Sequence, residues 1–384
     1  MTAPLYNLLG LTLQELSDFA ERSGEKRYRG KQLFDWLYAK DASSFTEMTS
    51  LGKTFREVLE ESARIEGVTI VNRQRSREDS TTKFLIELHD GLNVESVLIP
   101  PRLAFRGEEA ANEEEQRRLT LCISSQAGCA LDCKFCATAT MGFLRNLTVA
   151  EIVSQVMQVK REALRPITNV VFMGMGEPMM NYENVMKAVE ILINGLNIAA
   201  RRITISTAGW ADRIRQMADD GCKAKLAVSL HSAVNETRTR LMPINKKYDL
   251  KELMSAIEYY NKKTKKRVTY EYIFFDGVND SDYQVVQLIK LARRVPCKIN
   301  IIPFHSIAFT GVHGLGATLK PSPRMNQLAD RLRAHNLSVF VRSNAGEDID
   351  AACGQLAVKT EKEHARRARL STRRHSAPTE AIPA

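Results

Sequence analysis

Apolar positions in the N-terminal part of the chain recur every three or four residues, a period that is typical of amphipathic helices. The segments with this period are 12–24, 30–40 and 50–62. Thr12 is a candidate N-cap for the first of them, and Gly24 is a candidate stop. Residues 82–100 instead resemble two strands around Asp90–Gly91, which indicates a hairpin. The pattern predicts a small helical accessory domain over residues 1–90 that ends in strands.

From residue 119 onward, short apolar strands alternate with amphipathic helices as far as a last strand at 337–346. Thr148 and Glu151 have the spacing of a capping box at the start of one helix. Repeated strand–helix units with short loops predict a parallel sheet with helical crossovers. About six such units favour an α/β fold with a partial (βα)6 TIM-like barrel, whose active site lies at the carboxyl ends of the strands.

Shifts in composition mark the remaining regions of the chain. Residues 91–118 are interpreted as a connecting strand and an acidic linker loop, with an acid-rich insertion at 107–116. The barrel domain is predicted over residues 119–355. Residues 356–384 are basic and then small and polar, so we expect a disordered tail there.

The 384-residue chain has an apolar fraction of 44% and a charged fraction of 26%, which are ordinary for a soluble globular protein. It contains no run of roughly 18 apolar residues and no signal-peptide pattern. We therefore expect a cytoplasmic protein with no membrane partner. The formal net charge of +10 favours anionic partners, nucleic acid first among them.

Three of the seven cysteines lie in the segment "CALDCKFC", at Cys129, Cys133 and Cys136. In a reducing compartment such a cluster indicates metal or redox chemistry rather than a disulfide framework. A structural zinc site needs four ligands, but there is no second CxxC and the next histidine is His231. An iron–sulfur cluster uses thiolates and can leave one iron open to a substrate. A set of free buried thiols is the remaining alternative.

Polar segments also end several predicted strands. They are "GMGEP" at 174–178, "STAG" at 206–209 and "SLH" at 229–231. The first is a poor dinucleotide loop, because Met179 stands where the third glycine would be. The hydroxyl groups and the imidazole are candidates for hydrogen bonds to a ligand, although a turn serine or a buried histidine is the structural alternative.

The spacing Cys-x3-Cys-x2-Cys, with Phe135 before the third cysteine, resembles the radical S-adenosylmethionine (SAM) superfamily. The resemblance implies that Cys129, Cys133 and Cys136 bind three irons of a [4Fe–4S] cluster, while SAM chelates the fourth. One-electron reduction then cleaves SAM to a 5′-deoxyadenosyl radical. The residues that the resemblance assigns to SAM are Gly176, Glu177, Ser206, Ser229, Leu230, His231 and His305, the last standing where the family often has asparagine.

Longer segments resemble the RlmN/Cfr family of RNA adenine methyltransferases over nearly the whole chain. They include "RPITNVVFMGMGEPMMNYENV", "MPINKKY", "PCKINIIPF" and "GEDIDAACGQL". The resemblance implies that Cys353 accepts a methyl group from one SAM and, after hydrogen abstraction, adds to the adenine ring as a covalent adduct. Cys122 then resolves the adduct and forms a disulfide with Cys353, which external thiols reduce. Glu95 matches a carboxylate that acts as proton acceptor.

Without the resemblance, these residues have simpler interpretations. Cys122 and Cys353 would be small buried core residues, and Glu95 would be a solvent-facing residue of a strand. Cys222 and Cys297 match no family role and are interpreted as structural thiols.

The family further implies 23S ribosomal RNA, near the peptidyl-transferase centre, and the transfer RNA adenosine next to the anticodon as substrates. An external flavodoxin-like electron donor and a monomeric state are also implied. Candidate backbone contacts are Arg201–Arg202, Lys246–Lys247, 261–267 and 366–374, each of which has a solvated helix face as its alternative. We expect methylation at adenine C2. Methylation at C8, as in the antibiotic-resistance branch, a radical SAM enzyme with a non-RNA substrate, and a non-catalytic RNA-binding protein remain alternatives.

Overall fold

A ten-stranded sheet forms the centre of the structure, a computed structural model that describes residues 5–101, 116–342 and 345–356. The strands are β1 Tyr6–Asn7, β2 Ala63–Arg64, β3 Thr69–Arg75, β4 Thr82–Glu87, β5 Asn93–Ile99, β6 Thr120–Cys122, β7 Gln126–Gly128, β8 Phe143–Asn146, β9 Asn169–Phe172, β10 Ile203–Thr207, β11 Lys225–Ser229, β12 Val268–Tyr272, β13 Cys297–Ile301 and β14 Val339–Val341. The α-helices are α1 Leu13–Arg22, α2 Arg29–Phe34, α3 Lys53–Ser62, α4 Val149–Glu162, α5 Tyr182–Asn194, α6 Ala211–Asp219, α7 Asn235–Leu241, α8 Leu250–Thr264, α9 Asp282–Ala292, α10 Leu315–Thr318 and α11 Met325–Ala334.

The strand order of the central sheet is β14–β13–β12–β11–β10–β9–β6–β5–β4–β3. From β6 through β9 to β14 every pair is parallel, and at least one helix connects each of these strands to the next. This confirms the α/β fold and the six strand–helix units that the sequence pattern predicts. From β6 to β3 the pairs are antiparallel, and these three added strands are called the antiparallel extension here.

Local sequence signals explain where several elements begin and end. The hydroxyl of Thr148 accepts a hydrogen bond from the Glu151 backbone N–H at 3.2 Å, and Glu151 Oε2 accepts one from the Thr148 N–H at 2.9 Å. This capping box starts α4 as predicted. Thr12 caps α1 in the same way. Gly91, at a φ of 81°, forms the predicted turn between β4 and β5.

The N-terminal helices pack against the barrel helices rather than standing apart from them. A Cβ atom on Gly10 would lie 2.5 Å from the Ala150 backbone nitrogen, so the chain approaches the start of α4 too closely for any side chain. The Val68 backbone N–H donates to the Ser154 hydroxyl on the same helix. Arg161 forms an ion pair with Asp41 at 2.7 Å. These contacts fix the N-terminal helical unit beside α4.

The domain boundaries remain predictions, but the structure shows where they fall. The sheet extends back to Thr69, so the predicted boundary at residue 90 lies between two paired strands, β4 and β5. The acidic insertion at 107–116 lies outside the described residues apart from its last residue. The predicted tail also lies outside them, apart from its first residue. Within the described ranges, no helix combines the length and the apolar character that crossing a bilayer requires.

Among the residues that the structure describes, strands β3 and β14 are the two edges of this open sheet. Six of the seven residues of β3 are exposed, and its register shifts between Ile70 and Asn72. Strand β14 has only three residues.

Candidate active site

A cleft opens where the parallel strands end at their carboxyl side. Its empty volume, including the part that is open to solvent, is about 920 Å³, which suits a cofactor-sized ligand. The predicted site residues that line it are Cys129, Cys133, Cys136, Gly176, Glu177, Ser206, Ser229, His231 and Cys353. The fold therefore brings together residues from loops that are distant in the sequence.

The three clustered cysteines lie on a loop whose base is a small two-stranded sheet, β7 paired with β8. Gly128 has a φ of 72°, and a Cβ atom there would lie 1.9 Å from the Gly142 carbonyl oxygen, so only glycine fits. Burial raises the pKa of the Cys129 thiol to about 12, and it raises that of Cys133 well above its usual value. No three His, Cys, Asp or Glu side chains in the described parts of the chain converge on a single metal ion. The three thiols are instead distributed along the cleft wall.

The Glu177 carboxylate is already engaged by the protein. Its Oε1 accepts a hydrogen bond from the Met179 N–H at 3.0 Å, and its Oε2 accepts one from the Ala208 N–H at 2.7 Å. Burial nevertheless raises its pKa. The Glu177 N–H donates to Gln126 at 2.8 Å. The side chain thus holds the ends of β9 and β10 together, and any ligand contact of this segment falls mainly to its backbone.

His231 is held as a neutral imidazole in the cleft wall. Its Nδ1 accepts a hydrogen bond from the Ile273 backbone N–H at 3.1 Å, so Nε2 carries the proton and is a donor. Burial lowers its pKa to about 3. The ring packs edge-on against Phe135, with centroids 4.5 Å apart. This contact joins the cysteine loop to the end of β11.

Arg238 is a buried cation that the sequence analysis did not single out. Its guanidinium donates to the carbonyl oxygens of Leu230 and Ala208, and to the side chain of Asn245. Burial lowers its pKa to about 10. These bonds fix the ends of β10 and β11. Its spacing in the sequence could have indicated its burial. Arg238 lies four residues after Val234 and three before Leu241, which places it on the apolar face of α7.

Cys122 and Cys353 lie close enough to affect each other electrostatically, although only Cys353 lines the cleft. Burial raises the pKa of Cys122 to about 12. Cys353 is exposed, so its interpretation as a buried core residue is wrong. The position of its thiol within the cleft, away from bulk water, still raises its pKa, and the nearby Arg342 opposes both shifts. Arg342 lies 3.6 Å from Glu271 Oε2. That oxygen is buried, lacks a hydrogen-bond donor within the described ranges and belongs to a residue of the cleft wall. Neither Arg342 nor Glu271 was predicted from the sequence.

Glu95 is buried on β5, with only 4% of its surface exposed, so the solvent-facing interpretation is wrong. Its carboxylate lies 3.6 Å from Lys83 Nζ, and it does not line the cleft. Two residues expected at the cofactor also do not line the cleft. Leu230 is wholly buried in the core, on the opposite side of the strand end from its neighbours Ser229 and His231. His305 turns instead toward Glu347, with 3.2 Å between Nδ1 and Oε1.

The other predicted residues lie away from the cleft. Cys297 is buried on β13, where its thiol donates to the Ala292 carbonyl, and Cys222 is partly buried. Lys247 stacks over the Trp210 ring, 4.3 Å from its centroid.

Comparisons with known proteins cover both parts of the fold. The profile of the Radical SAM superfamily matches residues 123–289, and that of the ribosomal RNA large subunit methyltransferase N-terminal domain matches residues 6–65. A probable dual-specificity RNA methyltransferase RlmN of Flavobacterium psychrophilum is 43% identical over 360 residues, which span 92% of this chain and 98% of that protein. The corresponding protein of Thermotoga maritima is 41% identical over 356 residues, spanning 92% and 98%.

A solved structure agrees with these relatives. The crystal structure of a radical SAM methyltransferase from Sphaerobacter thermophilus matches with a TM-score of 0.79 and 39% identity. The match covers 92% of this chain and 100% of that one, so it includes the helical unit, the extension and the barrel.

Proposed function

The chain belongs to the RlmN family of radical SAM RNA methyltransferases, and we propose that it methylates C2 of adenosine in 23S ribosomal RNA and in transfer RNA. Its cofactors are a [4Fe–4S] cluster and SAM. The observation that carries the proposal is the placement of Cys353 on the wall of the cleft that Cys129, Cys133 and Cys136 also line. Methylation through a protein thiol needs this placement, because the thiol must reach the radical source.

The residues present fit both groups. Three thiols on one wall are the donor set for three irons of a cluster, and the open fourth position suits a chelating ligand. Ser206, Ser229 and the protonated Nε2 of His231 are hydrogen-bond donors on the same cleft for the polar groups of SAM. When bound, the two groups together supply a carbon radical that abstracts hydrogen.

The chemistry of adenine explains why two further cysteines are required. Ring carbon C2 is electron-poor and has no lone pair, so it cannot attack the methyl group of SAM directly. Cys353 takes up that methyl as a thioether and loses a thiol proton. After hydrogen abstraction, its methylene carbon bonds to C2 and forms a covalent protein–RNA adduct. We assign removal of the ring proton to Cys122, which lies near Cys353, since Glu95 is buried beside Lys83 and does not line the cleft.

Cys122 then completes the sequence. Its sulfur attacks the sulfur of Cys353, the S–CH₂ bond breaks, and the released carbon takes up the proton that the Cys122 thiol gives up. The products are methylated adenosine and a Cys122–Cys353 disulfide, and the one electron left from the radical addition passes to a one-electron acceptor such as the oxidised electron donor. An external thiol reduces this disulfide. The Cys353 thiol contributes to the raised pKa of Cys122, which supports this step. We expect Cys122→Ala to accumulate RNA cross-linked to protein, visible as a shifted band that nuclease removes. A variant that turns over without such a band would exclude the resolving role of Cys122.

The enzyme acts on RNA, as its family membership shows. The target adenosine must leave its base stack to reach the cleft, because the reacting carbon lies inside the ring. The exposed pair Lys246–Lys247, beside Trp210, is a proposed contact to the RNA backbone. A flavodoxin-like electron donor, a monomeric state and a cytoplasmic location, where ribosomal and transfer RNA are found, complete the proposal.

Mass spectrometry of adenosines tests the proposal most directly. Ribosomal and transfer RNA from a host lacking endogenous activity are compared with and without this protein. A gain of 2-methyladenosine in both pools is expected. A gain of 8-methyladenosine in ribosomal RNA alone would replace the C2 assignment with C8. No change in either pool would contradict the RNA substrates that we propose.

A further inference from the structure

We propose that Lys83 is a positioning residue that holds the Cys353 segment, residues 345–356, against the cleft. The inference rests on the proposed role of Cys353 as methyl carrier. Lys83 lies on β4, in the antiparallel extension, and does not line the cleft. It acts through the backbone of the segment that bears Cys353.

Among the described residues, the buried ammonium group of Lys83 contacts one partner in the Cys353 segment and one in the extension. Its ammonium group donates to the Asp350 backbone carbonyl at 3.3 Å and lies 3.6 Å from the Glu95 carboxylate. Only 9% of its side chain is exposed. Lys83 faces Val97 across the β4–β5 pair, and Leu85 faces Glu95, so Lys83 and Glu95 are diagonal neighbours on one face of the sheet. Buried lysines are rare unless they are paired, so these two contacts account for a lysine at this buried position.

Two further bonds attach the same segment to the turn between β3 and β4. Asp79 Oδ2 accepts a hydrogen bond from the Gly346 backbone N–H at 2.9 Å. The Arg77 backbone N–H donates to Asp348 at 3.1 Å. A Cβ atom on Gly346, whose φ is 67°, would lie 2.9 Å from the side chain of Thr81. The turn and Lys83 therefore hold the Cys353 segment over residues 346–350.

The other side of the segment contacts the cysteine loop. The Ala137 backbone N–H donates to the Gly354 carbonyl, and Gly354 packs against the Phe135 carbonyl and the Cys136 Cα. Cys353 therefore lies between the extension and the cluster-binding loop. Releasing the extension side would free the thiol to shift relative to the cleft while leaving the SAM-facing residues in place. A shift of about 1 Å in a reacting group can reduce turnover by about 100-fold.

The test compares Lys83→Met with Lys83→Arg in cluster-reconstituted protein. Lys53→Met, on an exposed helix position, is the matched control. We expect Lys83→Met to lower kcat for RNA methylation about 10- to 100-fold and to accelerate hydrogen exchange over residues 345–356. The SAM Kd should stay within about twofold of wild type, and Lys83→Arg should restore kcat and protection, because it keeps a buried donor.

Asp79→Asn provides a second route if Lys83→Met does not fold. It weakens the bond from Gly346, and it also affects the bond that Asp79 accepts from the Thr81 N–H within the turn. About 10-fold lower kcat with faster exchange in the same peptide is expected. Unchanged exchange and kcat within twofold of wild type, in whichever of the two variants folds, would overturn the proposal. Equal losses of SAM affinity and kcat would also overturn it, since they indicate general disruption. Wild-type protein that fails to methylate RNA would refute the proposed function instead, and the exchange data would still decide whether Lys83 holds the segment.

Discussion

The parallel half of the sheet and its antiparallel extension treat their buried polar groups differently. In the extension, Lys83 and Glu95 pair with each other, and the Ser96 hydroxyl donates to Gln155. In the parallel half, Glu271 on the cleft wall has a buried oxygen, Oε2, with no hydrogen-bond donor in the described part of the chain. Buried polar groups normally have partners, so an unpaired oxygen on the cleft wall indicates a ligand contact. Within the described ranges the extension has an unpaired oxygen too, Asn93 Oδ1 on β5, but it lies away from the cleft.

This difference separates two tasks. The parallel half presents groups to molecules that arrive from outside, whereas the extension pairs Lys83 with Glu95 and holds another segment of the same chain. Substitutions in the first should therefore affect ligand binding, and substitutions in the second should affect stability or the placement of Cys353. The following predictions are ordered from the largest expected effect to the smallest.

Cys133→Ala should have the largest effect, because it removes one of three proposed cluster ligands from the parallel half. We expect iron content to fall and SAM cleavage to drop to background. Iron assay and absorbance of the reconstituted protein measure the first, and release of 5′-deoxyadenosine measures the second. Cys297→Ala is the matched control, since that thiol is buried away from the cleft. Normal SAM cleavage by Cys133→Ala would contradict the assignment.

Cys353→Ala should abolish RNA methylation while leaving the cluster and SAM binding intact. The variant removes the methyl carrier but no proposed ligand of either group. RNA methylation, iron content and SAM affinity are measured on the same preparation. A variant that still methylates RNA would exclude Cys353 as carrier. A variant that loses iron would show that the Cys353 segment is needed to hold the cluster loop, which would weaken the separation of tasks.

His231→Asn should weaken SAM binding about 2- to 10-fold, because the Nε2 donor is lost while little volume changes. The pKa of His231 is lowered to about 3, so the imidazole is neutral at all higher pH values. The contribution of His231 to SAM affinity should therefore not change between pH 5 and pH 8, roughly two units above that pKa or more. Equilibrium dialysis over this range measures it. A decline below about pH 6 that is present in wild type and absent from the variant would contradict a neutral His231.

Asp90→Asn should have the smallest effect, about 0.5–1 kcal/mol on the free energy of unfolding, since 34% of the side chain is exposed. Arg145 binds the Asp90 carboxylate and lowers its pKa to about 2. The stabilisation is thus fully present above the unfolded-state pKa of about 3.9 and is lost as pH falls through about 2. Thermal unfolding at pH 7 and below pH 4 tests this, with Asp330→Asn as an exposed control. A difference from wild type that grows as the pH falls would contradict it.

The order of strands and helices could be predicted because each element has its own period and caps. Thr12, Thr148 and Gly91 act locally, within a few residues of the positions they determine. Pairing of the extension with β6 could not be predicted, because antiparallel strands beside a parallel sheet depend on contacts distant in sequence. For that reason the sequence pattern assigns β4 to the helical domain and β5 to the connecting segment, although both strands belong to the central sheet.

The candidate site was predictable where its residues follow strands and unpredictable where they act through other residues. Ser206, Ser229 and His231 line the cleft because carboxyl ends of parallel strands meet at one edge of a sheet. Arg238 and Lys83 are buried cations and Arg342 is partly buried, but in a sequence all three resemble surface residues. His305 follows a strand as well, but a distant residue, Glu347, turns its side chain aside.

The open sheet also carries a consequence for the behaviour of the protein at high concentration. A sheet that does not close exposes backbone donors and acceptors along both edges, which can pair with another molecule and start aggregation. Strand β3 bears Arg73 and Arg75 along an exposed, bulged edge, and β14 offers only three residues for pairing. The edge at β3 is charged and irregular, and the edge at β14 is short. Both properties therefore oppose the addition of a strand from another molecule. Replacing Arg73 and Arg75 with valine should promote thioflavin-positive aggregates without altering the cleft.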